Sequence, residues 1–465
     1  MSAMSAMSAM SVSRRSLVRG LGAGVLGAGA LTACGEGGLR RGGRRETTTA
    51  PTAEALSEPD VPLVIGQIGA NYGRMATFET AISISIASAA LDTNARWGGL
   101  FGHEVELAER HVMQEPGEDL APVIQDMADS GVTCVITSID EESLIEAMPA
   151  LVDAGMAVID VFTSGRDLRT AEVQTANLLV RLCPSDATMA AQYAEIALGS
   201  SSDQAGPPGS VAYLSEDTLQ GRSLLYELEQ ILHPRSGEIV SEQFYEVGDF
   251  GDITARVEKV LADPPALLVF NGGAEAAPFL SALYSATLDG GQRPEIEFPK
   301  RLSPAATIDY SQHAVAEDLV PGCLESATGY EPGDELTIEH ENMMLNRSTE
   351  FLTTGYAYSQ HGYDAFVMAC LAAQHALSVE GTALAGALPA ILTGSEKCSD
   401  YGTCRSVMQM ALESQDRATV AYTGRMGSLE LGPHSDARVG QMREYTWSES
   451  NEMEAGNGTS FEAPE

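Results

Sequence analysis

From Val61 onward, short apolar runs alternate with longer helical patterns, and this alternation limits the folds open to the chain more than any other feature. Apolar runs of roughly four to eight residues between turn residues read as buried strands, and apolar residues at helical spacing read as amphipathic helices. Strands are expected at 62–68, 104–112, 132–137 and 157–162, with helices at 76–91, 119–130 and 141–154 between them. The rhythm returns with strands at 210–214, 239–245 and 266–270 and helices at 219–232, 253–261 and 276–287. Two blocks of this kind imply an α/β protein with two doubly wound parallel-sheet lobes covered by helices. After Glu331 helical patterns dominate, at 335–352, 363–377, 383–392 and 404–412, followed by short strands at 418–422, 428–431 and 438–445. The tail 448–465 carries five acids and no base, a composition expected to stay disordered.

The first 34 residues read as an address. Arg14-Arg15, a weakly apolar stretch from Leu21 to Leu31, and Leu31-Thr32-Ala33-Cys34 have the layout of an export signal. The apolar stretch would rise only ~16 Å as a helix, about half a hydrocarbon core, so it is too short to span a membrane. The paired arginines resemble a twin-arginine signal and the last four residues resemble a bacterial lipobox, which predicts lipidation at Cys34. An extracytoplasmic, membrane-anchored lipoprotein is expected. Gly22, Gly24 and Gly27 form a GxGxxG, but it follows no strand, so no dinucleotide site is assigned. Residues 35–60, rich in Gly, Arg, Thr, Ala and Pro, read as a flexible tether. Its Arg40, Arg41, Arg44 and Arg45 suit either anionic headgroups or a solvated linker.

Beyond that tether about 400 residues remain, enough for two full cores. They carry 20 basic and 60 acidic residues. Nucleic-acid binding rests on Lys and Arg neutralising phosphate, so that class is excluded. The acidity is explained first by solubility, with steering of cationic or zwitterionic ligands as the alternative. Cys398 and Cys404 flank a Ser/Asp/Gly-rich loop and are expected to form a disulfide, since neither their spacing nor nearby histidines suit a metal. Cys134 lies in an apolar run and reads as a buried thiol, while the pairing of Cys134, Cys183, Cys323 and Cys370 is left open. No G-x-S-x-G, P-loop or H-E-x-x-H is present, so no catalytic residue, metal or cofactor is assigned. His340 and His361 are expected to play structural roles.

Several strings, in order along 61–447, resemble the Leu/Ile/Val-type substrate-binding lipoproteins of ABC importers, which have the type I periplasmic-binding-protein fold. They are Ile65-Gly66-Gln67-Ile68 with Asn71-Tyr72-Gly73, Asn94 with Gly98-Gly99-Leu100-Phe101-Gly102, and Arg181 with Pro184-Ser185-Asp186. They continue with Gly251-Asp252-Ile253-Thr254, Asn271-Gly272-Gly273, Gly362-Tyr363-Asp364-Ala365, and the disulfide loop followed by Tyr422-Thr423-Gly424-Arg425-Met426-Gly427.

The resemblance implies two lobes joined by three hinge crossings, near Arg181, Ser303 and Tyr422. It divides the chain into 61–182 and 303–423 for lobe 1, and 183–302 and 424–447 for lobe 2. It implies a receptor that captures an amino acid or related polar compound between the lobes, delivers it to an ABC permease and catalyses nothing. A ligand sensor on the same fold is the alternative, and an extracytoplasmic hydrolase is the more remote one. Carried over position by position, the ligand residues are Tyr72 as the aromatic cover, Ser138, Thr163 and Ser164 as carboxylate donors, and Glu275 as the acid for an ammonium. Gln220 stands where a tyrosine is usual. Asp140 and Glu141 stand where hydroxyls are usual, either capping the next helix or facing a ligand that has no carboxylate at that end.

Overall fold

A computed structural model describes residues 56–199, 204–289, 293–294, 296–349, 351 and 355–463. The export signal, Cys34 and the segment 35–55 lie outside the described residues. The first half runs β1 (Val64–Ala70), α1 (Glu79–Leu91), β2 (Glu106–Leu107), β3 (His111–Met113), α2 (Ala121–Asp129), β4 (Cys134–Ser138), α3 (Glu141–Asp153), β5 (Ala157–Asp160) and β6 (Leu179–Pro184). The second begins with α4 (Asp186–Leu198), β7 (Ser210–Glu216), α5 (Leu219–Leu232), β8 (Glu238–Tyr245), α6 (Ile253–Ala262) and β9 (Leu267–Asn271). It continues with α7 (Ala276–Thr287), the antiparallel pair β10 (Leu288–Asp289) and β11 (Arg293–Pro294), β12 (Lys300–Leu302) and β13 (Ala327–Pro332). Then come α8 (Ile338–Leu345), helices at Ser359–Ala376, Gly381–Ala387 and Tyr401–Glu413, and the strands β14 (Glu396–Cys398) and β15 (Val420–Tyr422). The described chain closes with β16 (Glu430–Leu431), β17 (Asp436–Trp447) and β18 (Met453–Glu462).

Each half is a parallel sheet, in the orders β2-β1-β4-β5-β6 and β13-β12-β9-β7-β8. Strands β4, β5, β6, β7 and β9 are buried along their whole length, as strands covered on both faces must be. The expected 104–112 strand is broken into β2 and β3, which both pair with β1. Helix α1 packs Ile82 and Ile86 in the same core as Phe366 and Ala369 of the 359–376 helix. Gly362 allows that approach: a Cβ there would stand 2.7 Å from Ser85 Oγ and 3.0 Å from the Ile82 carbonyl oxygen.

Four expectations change. The two half-sheets are continuous, because β17 pairs parallel with β6 and antiparallel with β13, making one 14-stranded sheet. At ~3.3 Å per residue a twelve-residue strand is long enough to reach both. Residues 303–332 belong with the second half and not with lobe 1. Ala306, Ile308, Tyr310 and Leu324 sit in its core, and β13 extends its sheet, so the second crossing follows Pro332. The tail is not disordered from 448. β18 pairs antiparallel with β17 from Val439↔Glu462 to Trp447↔Met453, which satisfies an edge that acidity alone does not reveal. Lastly, the tether ends before 60. Leu56 exchanges hydrogen bonds with Gln415 at 3.0 and 3.2 Å, and Glu58 accepts one from Gln374 at 2.9 Å.

Cys398 and Cys404 form the expected disulfide, with Cα atoms 5.3 Å apart. Cys134, Cys183, Cys323 and Cys370 are free, buried thiols. No helix among the described residues is long and apolar enough to cross a membrane.

Candidate functional site

In parallel sheets the backbone N–H groups at helix starts gather outside the carboxyl ends of the strands. Here the starts of α3, α4 and α5 are capped by Asp140, Ser185 and Thr218, whose side chains accept from Ser143, Thr188 and Gly221. The capping alternative for Asp140 therefore holds, at 2.9 Å from Ser143 N. The same carboxylate also accepts the hydroxyl of Tyr72, which ties the aromatic loop after β1 to the start of α3. Burial and this acid raise the Tyr72 phenol well above its ordinary value.

The remaining expected residues fall into three groups. Ser138 and Thr163 are buried and their hydroxyls are spent inside the first half. Ser138 donates to Glu79 at 3.3 Å, and Thr163 donates through N and Oγ1 to Asp160 at 2.8 and 2.6 Å. Ser164 and Gln220 meet at Asp186, the first residue of α4. Its N–H is donated to the Ser164 carbonyl at 2.9 Å, and its carboxylate accepts from Gln220 Nε2 at 3.0 Å. Glu275 braces its own loop, accepting from Gly273 N at 2.7 Å and from the Tyr245 hydroxyl.

Glu141 is 4% exposed, with one oxygen accepting from Leu168 N at 3.1 Å. A Cβ on Gly165 would come within 1.6 Å of its other oxygen, so a side chain at 165 cannot coexist with this carboxylate. Burial, and after it the charge of Asp186, raise Glu141 to about 7.

Four residues of the polar network between the halves are absent from the ligand residues expected from sequence. Arg74, in the turn after β1, reaches from the first half into the second. Its Nε lies 3.0 Å from Glu216 Oε2, and its Nη2 and Nη1 donate to Gln220 Oε1 at 2.8 Å and Asn271 Oδ1 at 3.3 Å. Gln220, flagged for a missing tyrosine, instead joins Arg74, Asn271 and Asp186 in one network. Glu216 and Asn271 end β7 and β9, where a buried polar residue at a strand terminus was the available signal. Asp186 was read only as part of a crossover string. In the first half, Phe78 and Phe162 pack on Tyr358 at 4.7 and 5.2 Å between centroids.

The hinge is held by charge. Asp436 of β17 takes Arg181 of β6 in two bonds of 2.8 Å and accepts Arg169 as well. Burial opposes its ionisation, but the two guanidiniums hold it at about 2. His340, bonded to Ser359 at 2.8 Å, and buried His361 are both pushed down to about 3 by burial and nearby arginines, which fits structural roles.

These shifts set a pH dependence. Burial raises Glu79 and Glu141 to about 7 and Asp160 to about 6. An acid raised on folding contributes stability that is complete below its unfolded value and lost as pH rises through the folded one. The protein without ligand is therefore expected to melt at a higher temperature at pH 5.5 than at pH 8, with a shallower slope in Glu141→Gln. Asp436 stays ionised throughout that range and adds no slope, whereas His340 and His361, pushed down on folding, oppose the three acids by adding stability as pH rises through the unfolded histidine range, so the expected slope is the acids' effect net of theirs. Calorimetric midpoints that stay level or climb toward pH 8 would contradict the assignment.

No family model matches the sequence, and no curated protein matches it in sequence. Solved structures do match the fold. One is the branched-chain amino acid transporter substrate-binding protein LivJ of Streptococcus pneumoniae in complex with isoleucine, at 15% identity and TM-score 0.58, covering 86% of this chain and 99% of that one. Another is an ABC-transporter solute-binding protein of R. palustris in complex with 4-hydroxybenzoate, at 11% identity and TM-score 0.62, covering 87% and 98%. A type 1 periplasmic binding protein of Bordetella pertussis matches at 12% identity and TM-score 0.60, covering 85% and 100%. Identities this low show a shared architecture: the chain has the type I periplasmic-binding-protein fold.

Proposed function

We propose that this protein is an extracytoplasmic receptor that captures a small polar ligand between its two halves and presents it to an ABC importer, without catalysing a reaction. The observation that supports this most is the polar seam between the halves. Arg74 and Ser164 on one side meet Asp186, Glu216, Gln220 and Asn271 on the other, at the strand ends where this fold keeps its ligands. The neighbours named for amino acid and aromatic acid complexes are all binding proteins, which agrees with a capturing role. The export signal and the lipobox at Cys34 support display outside the membrane on a lipid anchor. Closure is driven by a ligand that touches both halves, because only differential affinity for the closed form moves that equilibrium.

A thermal-shift screen of the full chain with amino acids, amides, aromatic acids, amines and sugars tests the reading. At least one class is expected to raise the midpoint. Ser164→Ala is expected to weaken that compound about tenfold, or ~1.4 kcal/mol, without lowering the midpoint of the free protein. If no class stabilises the protein, the receptor reading fails. A sensor of the same fold differs only in its membrane partner, and permease and ATPase genes beside this one would favour transport.

A further inference from the structure

Two buried carboxylates at this seam are left half satisfied. Among the described residues Glu141 Oε2 and Asp186 Oδ2 are inaccessible to solvent and no well-aligned hydrogen bond reaches either atom, although the Ser164 and Ser223 hydroxyls stand close enough to the Asp186 carboxylate to ease its burial; the two residues are only 4% and 2% exposed. They converge on the Ser164-Gly165 turn. Glu141 Oε2 lies against Gly165, while the Asp186 N–H holds the Ser164 carbonyl oxygen. Each raises the other's difficulty, since two like charges in a desolvated place repel. An unsatisfied buried carboxylate oxygen is costly, and in a native protein it calls for a proton, a water, an ion or a ligand to complete it.

The protein's own cations near this point are committed elsewhere. Arg181 is spent on Asp436 and on the Gly165 carbonyl. Arg74 is spent on Glu216, Gln220 and Asn271. Arg166 stacks on the Tyr226 ring at 3.8 Å. No third His, Cys, Asp or Glu joins the two acids in a set fit for a metal ion among the described residues. Adding a ligand carboxylate would bring a third anion to the same spot. What fits is a group with several N–H donors and a positive charge.

We propose that the cleft receives an organic cation, an amine or guanidine with no carboxylate at that end, which donates to Glu141 Oε2 and Asp186 Oδ2. This rests on the receptor reading and names its ligand class. The two acids lie on opposite sides of the first crossing, Glu141 at the start of α3 and Asp186 at the start of α4. A bound cation therefore ties the halves together and favours closure. Glu216 and its partners then serve as a second polar wall, already closed over by Arg74.

The test uses the full chain at pH 8 with agmatine, putrescine and methylguanidine as probes, leucine and benzoate as carboxylate controls, and calcium chloride as the inorganic control. Calorimetry is expected to detect binding of at least one organic cation, weakened at least tenfold in both Glu141→Gln and Asp186→Asn. Each substitution keeps the oxygen already bonded, to Leu168 N or to Gln220 Nε2. Neutralising an unpaired buried charge is also expected to raise the melting midpoint of the free protein, and a lowered midpoint in both variants would count against the idea. Binding of leucine or benzoate that both variants leave intact overturns the cation proposal and leaves the receptor standing. A response to calcium alone overturns it in favour of a metal. Silence toward every organic cation also overturns it, and silence toward every class tested removes the receptor reading as well.

Discussion

Asp436→Ala is expected to destabilise the protein by about 3–5 kcal/mol, a large part of the total for a domain of ordinary stability. The side chain of Arg181 is 4% exposed, against 16% for Arg169 and 22% for Asp436, so the loss falls mainly on Arg181, whose guanidinium would be left desolvated without its acid. Arg181 would keep only its bond to the Gly165 carbonyl. The loss falls on the joint where β17 meets β6, at the pair Asp436↔Arg181, which is also where the two half-sheets become one. Denaturant midpoints of wild type, Asp436→Ala and Asp436→Asn measure it, with the asparagine in between because it can still accept hydrogen bonds. A change below about 1 kcal/mol in the alanine variant would mean that the arginines find water or other partners, as exposed pairs do.

Arg74→Ala is expected to open the molecule. The three contacts of this side chain are the densest polar link between the halves, and Glu216, with its side chain 7% exposed, would be left without its cation. Losing one partner of a desolvated charge pair costs about 2–5 kcal/mol, which moves a two-state equilibrium by roughly 30-fold to several thousandfold. Small-angle scattering of the free protein is expected to show a larger radius of gyration in the alanine variant, and Arg74→Lys a smaller increase, because a point charge cannot serve three acceptors as a guanidinium does. Identical scattering from all three proteins would show that the closed arrangement does not depend on Arg74.

The residues of the seam differ in how visible they were beforehand. Asp140 was legible as a cap because an acid before a helical pattern has a local reason to be there, and the reason needs only the next three residues. Glu141 stood out as an acid in a place that usually offers hydroxyls, yet its burial and its empty oxygen come from Gly165 and Asp186, 24 and 45 positions away. Gln220 was noticed for the tyrosine it replaces, and the contacts that explain it involve residues 146 and 51 positions distant. Arg74 gave no signal at all. It is one basic residue in an exposed turn until the second half is brought over it.

Most strands and helices up to Thr287 were determined by the sequence, since apolar period, capping residues and glycines act over a few neighbours and agree with one another there; β6, α4 and the break between β2 and β3 were not. The disulfide between Cys398 and Cys404 was determined in the same way, by two cysteines close enough to meet in one loop. Tertiary structure alone decided that residues 303–332 stay in the second core, that β17 joins both half-sheets, and that the acidic end from Met453 becomes a strand. It also decided which acids of so negative a chain are buried and left without a donor. These outcomes depend on which surfaces meet across long separations, where desolvation and pairing outweigh local preference, and no short window of residues contains both partners.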